Sequence, residues 1–152
     1  MTPMFTPEWL CQRIVEGSQV AIIFADLEGR IRFWNSGAEI MFGYGAEETL
    51  GQSLDLIVPE RQRPRHWEGY HKVMESGVTK YGRDLLAVPA MTKDGRRISV
   101  EFSIALLRGT SGEILGAAAI MLDVTARWQK QKELRERLTA LEAKLEQVSK
   151  SA

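Results

Sequence analysis

Hydrophobic and polar residues follow two spacings along this chain, and each change of spacing predicts a new element. The predicted strands occupy residues 20–25, 30–35, 83–91, 97–107 and 114–124. In the second strand, Ile31 and Phe33 share one face, and Trp34 takes the other. Helical spacing covers 36–42 and 64–76, and glycines end both stretches. Three hairpin-linked strands after a helical middle section indicate an α+β fold, an antiparallel sheet with helices on one face.

Further helices are predicted at the two ends of the chain. Thr6 and Pro7 are typical of a helix start, and we expect a short helix within residues 1–17. Residues 18–125 form the predicted domain, and 126–152 form a last helix with Thr125 as its cap. Leucine and valine recur in this last helix in steps of four and three, which is a coiled-coil seam. Either the helix folds back on its own domain or two chains pair through it as a homodimer, and we expect the parallel homodimer.

Composition narrows the classes of partner and compartment. Twenty basic residues balance twenty acidic ones among 152, so we expect neither a nucleic-acid partner nor a membrane surface. No apolar stretch is long enough to span a bilayer, and we expect a cytoplasmic protein. The single cysteine, Cys11, excludes an internal disulfide and a cysteine-based zinc site, and its apolar neighbours predict a packed thiol.

Both histidines lie in the helix predicted at 64–76. At about 100° per residue and measured from Tyr70, His66 falls at about −40°, inside the apolar stripe, and His71 falls at about +100°, on its edge. The predicted core face therefore includes His66. An imidazole on that face either finds a hydrogen-bond partner or ligates something held in the core.

Several short motifs, in this order, resemble those of a PAS domain. They are Gly29-Arg30-Ile31, Asn35 with Ala38, Phe42-Gly43-Tyr44, Lys93-Asp94-Gly95 and Asp123-Val124-Thr125. The resemblance implies the PAS fold, a five-stranded antiparallel sheet in the order 2-1-5-4-3, with a signalling helix after the fifth strand. Fold alone leaves the function of such a domain open.

The stretch Arg63-Pro64-Arg65-His66 also resembles that of haem-binding PAS sensors of oxygen and other gases. That resemblance implies haem b, with His66 as the proximal iron ligand and Arg83 near gas bound on the distal side. It also implies apolar pocket contacts from Val78, Phe102 and Ile104, next to Tyr70. Alternatively, His66 is a hydrogen-bonded core residue and Arg83 is a strand-end arginine paired with Asp84 or Glu60. An imidazole in an apolar box is a good axial ligand for iron, and a cation above it can donate to bound dioxygen.

Our leading prediction is a stand-alone PAS sensor that signals to a separate protein, such as a histidine kinase, a cyclic-dinucleotide enzyme or a regulator. The first alternative is a cofactor-free interaction module. The second is a domain that binds noncovalent flavin or a small apolar ligand through Trp34, Asn35 or Trp67. A flavin that bonds to cysteine is excluded because Cys11 lies outside the middle helices. We expect no catalytic activity, since the chain has neither a Gly-x-Ser-x-Gly elbow nor a phosphate-binding loop.

Overall fold

The helices and strands follow the predicted order in the computed structural model, which describes residues 5–79 and 85–152. The strands are Ala21–Asp26 (β1), Ile31–Trp34 (β2), Leu86–Met91 (β3), Arg97–Arg108 (β4) and Ile114–Asp123 (β5). The helices are Pro7–Gly17 (α1), Ser36–Phe42 (α2), Ala46–Thr49 (α3), Arg63–Ser76 (α4) and Thr125–Lys150 (α5). Two short 3₁₀ turns, Leu54–Leu56 and Glu60–Gln62, lead into α4.

All five strands form one antiparallel sheet in the order β2-β1-β5-β4-β3. The first and last strands of the sequence therefore lie side by side, with β5 at the centre. This confirms the predicted sheet and its order. One face carries the core with α2, where Ile23, Val100 and Phe42 are almost fully buried. Alanine occupies three consecutive positions of β5, 117–119.

A bulge in β2 changes which side chains face the core. Ile23 pairs with Trp34 and Ala25 pairs with Ile31, so a two-residue step on β1 faces a three-residue step on β2. Ile31 and Trp34 therefore both point inward, with 0% and 4% of their surfaces exposed. The prediction that Ile31 and Phe33 share a face opposite Trp34 was wrong, because strict alternation fails at a bulge.

The first helix is attached to the domain mainly through its carboxyl end. Thr6 caps α1 as predicted, its hydroxyl accepting from the backbone N–H of Trp9 at 3.2 Å. No residue of the helix is fully buried, and Cys11 is exposed. The prediction of a packed thiol was therefore wrong, because this helix does not bury its apolar side chains in the domain.

The last helix leaves the sheet without folding back on the domain. Every residue of α5 after Thr125 is exposed, so the first of the two alternatives for its apolar seam is not observed. The predicted cap was also wrong: Val124 precedes the helix, and the Thr125 hydroxyl instead accepts from the backbone N–H of Ser99 at 2.9 Å. Among the described residues, no helix has the length and apolarity needed to cross a membrane.

Candidate functional site

Three aromatic rings project together from the domain side of α4. The helix begins with Arg63 and Pro64 and ends where Gly77 adopts a left-handed conformation, φ 67°. His66, Trp67 and Tyr70 lie within one helical turn of one another on this helix, and all three are half-buried. The structure therefore brings together three residues that the sequence singled out, His66, Trp67 and Tyr70.

The imidazole of His66 packs against the other two rings, which also contact each other with their centroids 5.5 Å apart. Its centroid lies 4.8 Å from the Trp67 ring, edge to face, and 5.9 Å from the Tyr70 ring. Its Nδ1 atom is buried and has no hydrogen-bond partner in the part of the chain that the structure describes. Burying a polar nitrogen without a partner costs free energy. The alternative in which His66 is a hydrogen-bonded core residue requires a partner, and the described residues do not supply one to this atom.

Trp67 fixes one side of this cluster. Its indole Nε1 donates to the Asp55 carboxylate at 2.8 Å, and its ring lies directly over Gly29. Gly29 has φ 76°, and a Cβ there would lie 2.2 Å from two carbons of the Trp67 ring. Glycine is therefore required at this turn both for its backbone conformation and for the close approach of the indole.

Tyr70 fixes the other side through the end of β1. Its hydroxyl lies 2.5 Å from the carbonyl oxygen of Asp26 and 3.3 Å from that of Ala25. Burial, together with the negative charges of Asp26 and Glu28, raises the pKa of the Tyr70 phenol above its ordinary range. The phenol therefore stays protonated and remains a hydrogen-bond donor to the strand.

The electrostatic surroundings of His66 favour its neutral form. Burial is the largest effect and lowers the pKa of its imidazole below 6.5, while the Asp55 carboxylate opposes the shift and His71 adds to it. A neutral imidazole keeps a lone pair, which is the form that a metal ion or haem iron binds. His71 itself is exposed.

The other predicted pocket residues do not all converge on this cluster. Phe102 and Ile104 alternate with outward residues on the inner face of β4 and are half-buried, opposite Met121 and Ala119 of β5. Val78 follows the end of α4 and is 71% exposed, so it lines no closed pocket in this conformation. The prediction for Arg83 lies outside the described residues.

All three side chains predicted as flavin contacts make hydrogen bonds within the domain, and that of Trp67 to Asp55 is described above. The Trp34 indole donates to the backbone oxygen of Tyr44 at 3.0 Å. The Asn35 side chain accepts from the N–H groups of Ile22 and Ala38 and donates to backbone oxygens of α1 and of the segment before β1. Neither side chain is available to a ligand, because its polar atoms are already bonded within the domain.

Two open surface depressions lie away from His66. One, of about 370 Å³, runs between the end of α2 and the β3–β4 turn near Phe42 and Lys93. The other, of about 270 Å³, lies beside Gly37 and Leu122. The described residues contain no cluster of three or more histidine, cysteine, aspartate or glutamate side chains able to hold a metal ion.

Sequence reasoning missed the polar joint between the sheet and α5. Besides its bond to Ser99, Thr125 donates its hydroxyl and backbone N–H to the Asp123 carboxylate at 2.5 and 2.9 Å. Arg127, in the first turn of α5, forms an ion pair with Glu101 of β4. The alternation of β4 indicated only that Glu101 faces away from the core. It could not indicate the contact with Arg127, because Arg127 lies 26 residues further along the chain.

The chain resembles known proteins along most of its length. A family model described as the PAS fold matches residues 10–124. The chain is 29% identical over 132 residues to the signal transduction histidine-protein kinase AtoS of Escherichia coli, covering 84% of this chain and 20% of that protein. It is 25% identical over 91 residues to the oxygen sensor protein DosP of the same organism, covering 60% of this chain and 11% of that protein. The chain thus spans a fifth or less of these two relatives.

Solved structures show the same fold. The crystal structure of a PAS domain from Colwellia psychrerythraea superimposes with a TM-score of 0.70 and 22% identity, covering 80% of this chain and 99% of that one. At that level of identity the likeness extends to the fold and not to the ligand. It agrees with the sheet order and helix layer described above.

Proposed function

This chain belongs to the PAS family and is a sensory domain related to sensor kinases, and on that premise we propose that it binds haem b through His66 and senses a diatomic gas or redox state. The observation that carries the proposal is the buried Nδ1 atom of His66 without a hydrogen-bond partner, on an imidazole that burial keeps neutral. The sequence similarity to an oxygen sensor protein favours dioxygen as the gas.

The residues around His66 suit this role. Trp67 and Tyr70 orient the imidazole, because each is itself fixed by a hydrogen bond to the domain. The half-buried Phe102 and Ile104 offer apolar surface on the inner face of the sheet. Haem iron, when bound, would supply the open coordination position at which a gas is taken up. The chain's own part is to supply one neutral nitrogen donor and to exclude water from the pocket.

The signal would leave the domain through the central strand. Phe102 and Ile104 pair directly with Met121 and Ala119 of β5, and β5 ends at the joint of Asp123 and Thr125. A change in the packing of β4 would therefore alter how the joint delivers α5 to a paired copy and to a downstream signalling protein. We propose a sensory and not an enzymatic role for the chain.

Reconstitution with haemin tests this proposal. The full chain should bind haem stoichiometrically and show a Soret band that shifts on reduction and again with carbon monoxide. His66→Ala should lose or strongly alter this band, because it removes the only histidine on the domain side of α4. His71→Ala is the matched control and should leave the band in place.

A different result favours the cofactor-free alternative. That alternative needs no cavity beside His66, and the two surface depressions described above lie elsewhere. Failure of the wild-type chain to bind haem, or a His66→Ala spectrum identical to wild type, would overturn the haem proposal. The cofactor-free module and the domain that binds flavin or a small apolar ligand would then remain.

A further inference from the structure

Helix α4 is held to the domain by separate contacts more than by burial. None of its residues is fully buried, and the apolar residues of its last turns, Val73 and Met74, are half-buried. On the helix face of the sheet, Leu106 and Ile104 are half-buried as well. A helix that buries no residue completely gains little from packing, so the contacts near its two ends decide how firmly each end is held.

The amino-terminal half of α4 is fixed to two separate parts of the domain. Arg63 donates to the backbone oxygens of Asp55 at 3.1 Å and Val58 at 3.2 Å. The bond of Trp67 to the Asp55 carboxylate and the bonds of Tyr70 to the end of β1 add to this attachment. These contacts extend from the first turn to the middle of the helix.

The carboxyl end of α4 is bound by an arginine of the sheet. Arg108, the last residue of β4, donates from Nη2 to the backbone oxygen of Gly77 at 2.8 Å. Its Nη1 donates to the backbone oxygen of Gly112 in the turn between β4 and β5 at 3.2 Å. One guanidinium therefore joins the end of α4 to the β4–β5 hairpin.

The register of β4 and β5 directs Arg108 to this helix. Arg108 follows Leu106 at a spacing of two, so it lies on the helix face of β4. A register shift then pairs Arg108 with Ile114, and Leu115 is the extra residue of β5. A Cβ on Gly77 would lie 3.1 Å from Nη2 of Arg108 and 3.4 Å from Cδ1 of Ile114. The hairpin and the end of the helix are therefore in close contact.

The charge of Arg108 complements the carboxyl end of α4. The carbonyl groups of the last turn of a helix carry partial negative charge. The last turn of α4 contains no basic residue, so Arg108 supplies the cation that this turn lacks. No ion pair between the described residues engages Arg108. Its bond to the carbonyl of Gly77 is therefore charge-assisted and is not shared with a carboxylate.

This contact is nevertheless accessible to water. Arg108 is exposed, and water competes for both of its donor groups. Val78, which follows Gly77, is 71% exposed and adds little burial to this end of the helix. Breaking the contact leaves the amino-terminal half attached, because the bonds of Arg63, Trp67 and Tyr70 do not involve Arg108.

We propose that the two hydrogen bonds of Arg108 to Gly77 and Gly112 form a latch on α4. In the closed state the carboxyl end of the helix lies on the β4–β5 hairpin. In the open state this end moves away and admits a ligand between α4 and the helix face of β4 and β5. His66 lies in the half that stays attached, so it keeps its position while the latch opens. The latch rests on the proposed function, to which it adds control of access to the ligand.

Arg108→Met in the haem-free full chain tests the latch, because methionine keeps an unbranched side chain and removes the charge and both donors. Stopped-flow fluorescence measures the rates at which the neutral probe N-phenyl-1-naphthylamine is taken up and released. Entry and exit both pass through the open state, so both rates should rise roughly tenfold while the Kd changes by less than about twofold. Haemin is mixed with the same chains, and its rates are measured in the same way.

Amide hydrogen exchange locates the opening. The N–H of Gly77 donates to the backbone oxygen of Val73 at 2.9 Å and should exchange roughly tenfold faster in Arg108→Met. The amides around Tyr70 should exchange as in wild type. Arg97→Met is the matched control, because it makes the same change at the opposite end of β4. It should leave the probe rates and the exchange at Gly77 unchanged.

The outcomes separate the latch from a loss of stability and from haem binding. Probe rates that are equal in Arg108→Met and wild type overturn the latch, as does a changed Kd with an unchanged rate of uptake. Faster exchange throughout the sheet would show general destabilisation and overturn it too. If neither the naphthylamine nor haemin enters either chain, the latch controls no entrance and is overturned. Uptake of the naphthylamine without haemin overturns the haem proposal alone.

Discussion

Burial of His66 opposes its protonation, so pH acts on the stability of the folded domain partly through this side chain. The pKa of His66 in the folded domain lies below its ordinary value of 6.5, so the folded state binds fewer protons than the unfolded state in that range. Its contribution to stability is therefore complete above about pH 6.5 and is lost as the pH falls from there toward the folded pKa.

We expect the free energy of unfolding of the haem-free chain to fall between about pH 7.5 and 5.5 partly through this group. Urea unfolding of wild type and His66→Gln at both pH values measures it, since glutamine does not titrate. The variant should lose less stability across the interval than wild type. His71→Gln should lose nearly as much stability as wild type, because His71 is exposed and its charge is the smallest of the three effects on the pKa of His66. An equal loss in His66→Gln would show that burial of this imidazole is not the cause.

Single residues were predictable where their own helix or strand decides their environment. The helical projection placed His66 and Tyr70 toward the domain, and both are half-buried there. It did not reveal that Trp34 and Asn35 are fully used within the fold, because their partners lie ten to twenty residues away in the sequence. The periodicity of a sequence indicates which side of its helix or strand a residue faces. It does not indicate which other residues that side chain contacts.

At the scale of elements, the joint between β5 and α5 can be tested with a single substitution. Thr125→Val keeps the branched shape but removes the hydroxyl that accepts from the Ser99 N–H, leaving that partly buried donor unpaired. We expect a loss of about 1–2 kcal/mol in the free energy of unfolding. Faster amide hydrogen exchange at Ser99 and in the first turn of α5 would locate the effect there.

Thr125→Ser is the matched control for this joint. It keeps the hydroxyl and should retain most of the protection at Ser99. Equal exchange in the valine and serine variants would mean that the methyl group, and not the hydroxyl, holds the joint together.

Elements were predictable where local chemistry marks their ends. The Asp-Gly turn before β4 and the glycine that ends α4 each carry a signal in the sequence, and both lie where expected, with positive φ at Gly95 and Gly77. The bulge in β2 and the true start of α5 carry no such signal. They depend on the register of β1 with β2 and on the backbone of Ser99, which only the assembled sheet provides.

For the molecule as a whole, we expect the domain to bind the ligand and the last helix to pair two chains, and we expect the two properties to be separable. A chain ending at Arg127 keeps the sheet, the His66 cluster and the ion pair with Glu101, but it lacks the apolar seam. We expect it to be a monomer in light scattering at concentrations where the full chain is a dimer. It should still bind haem if the full chain does. A shortened chain with the mass of a dimer would assign the interface to the domain.

The whole architecture was the most predictable level: hairpin spacing and turn residues indicated an antiparallel sheet with helices on one face, and the resemblance to PAS domains implied the strand order. The site was less so. The sequence pointed to His66 but not to the hydrogen bonds of Trp67 to Asp55 and of Tyr70 to β1 that hold its neighbours. Those bonds join parts of the chain that meet only once the helices lie on the sheet.

The alanine run of β5 also determines how readily this domain could change its ligand during evolution. Alanines 117 and 119 face the helix side at the centre of the sheet, beside Leu106 and Ile104 of β4. A small side chain there leaves depth for a flat ligand, and a leucine would fill it. We expect Ala119→Leu to leave no room for a flat ligand beside β4 while His66 and the fold stay as they are. A histidine at the position of His66 would then be a poor guide, by itself, to whether such a domain can hold the haem that we propose.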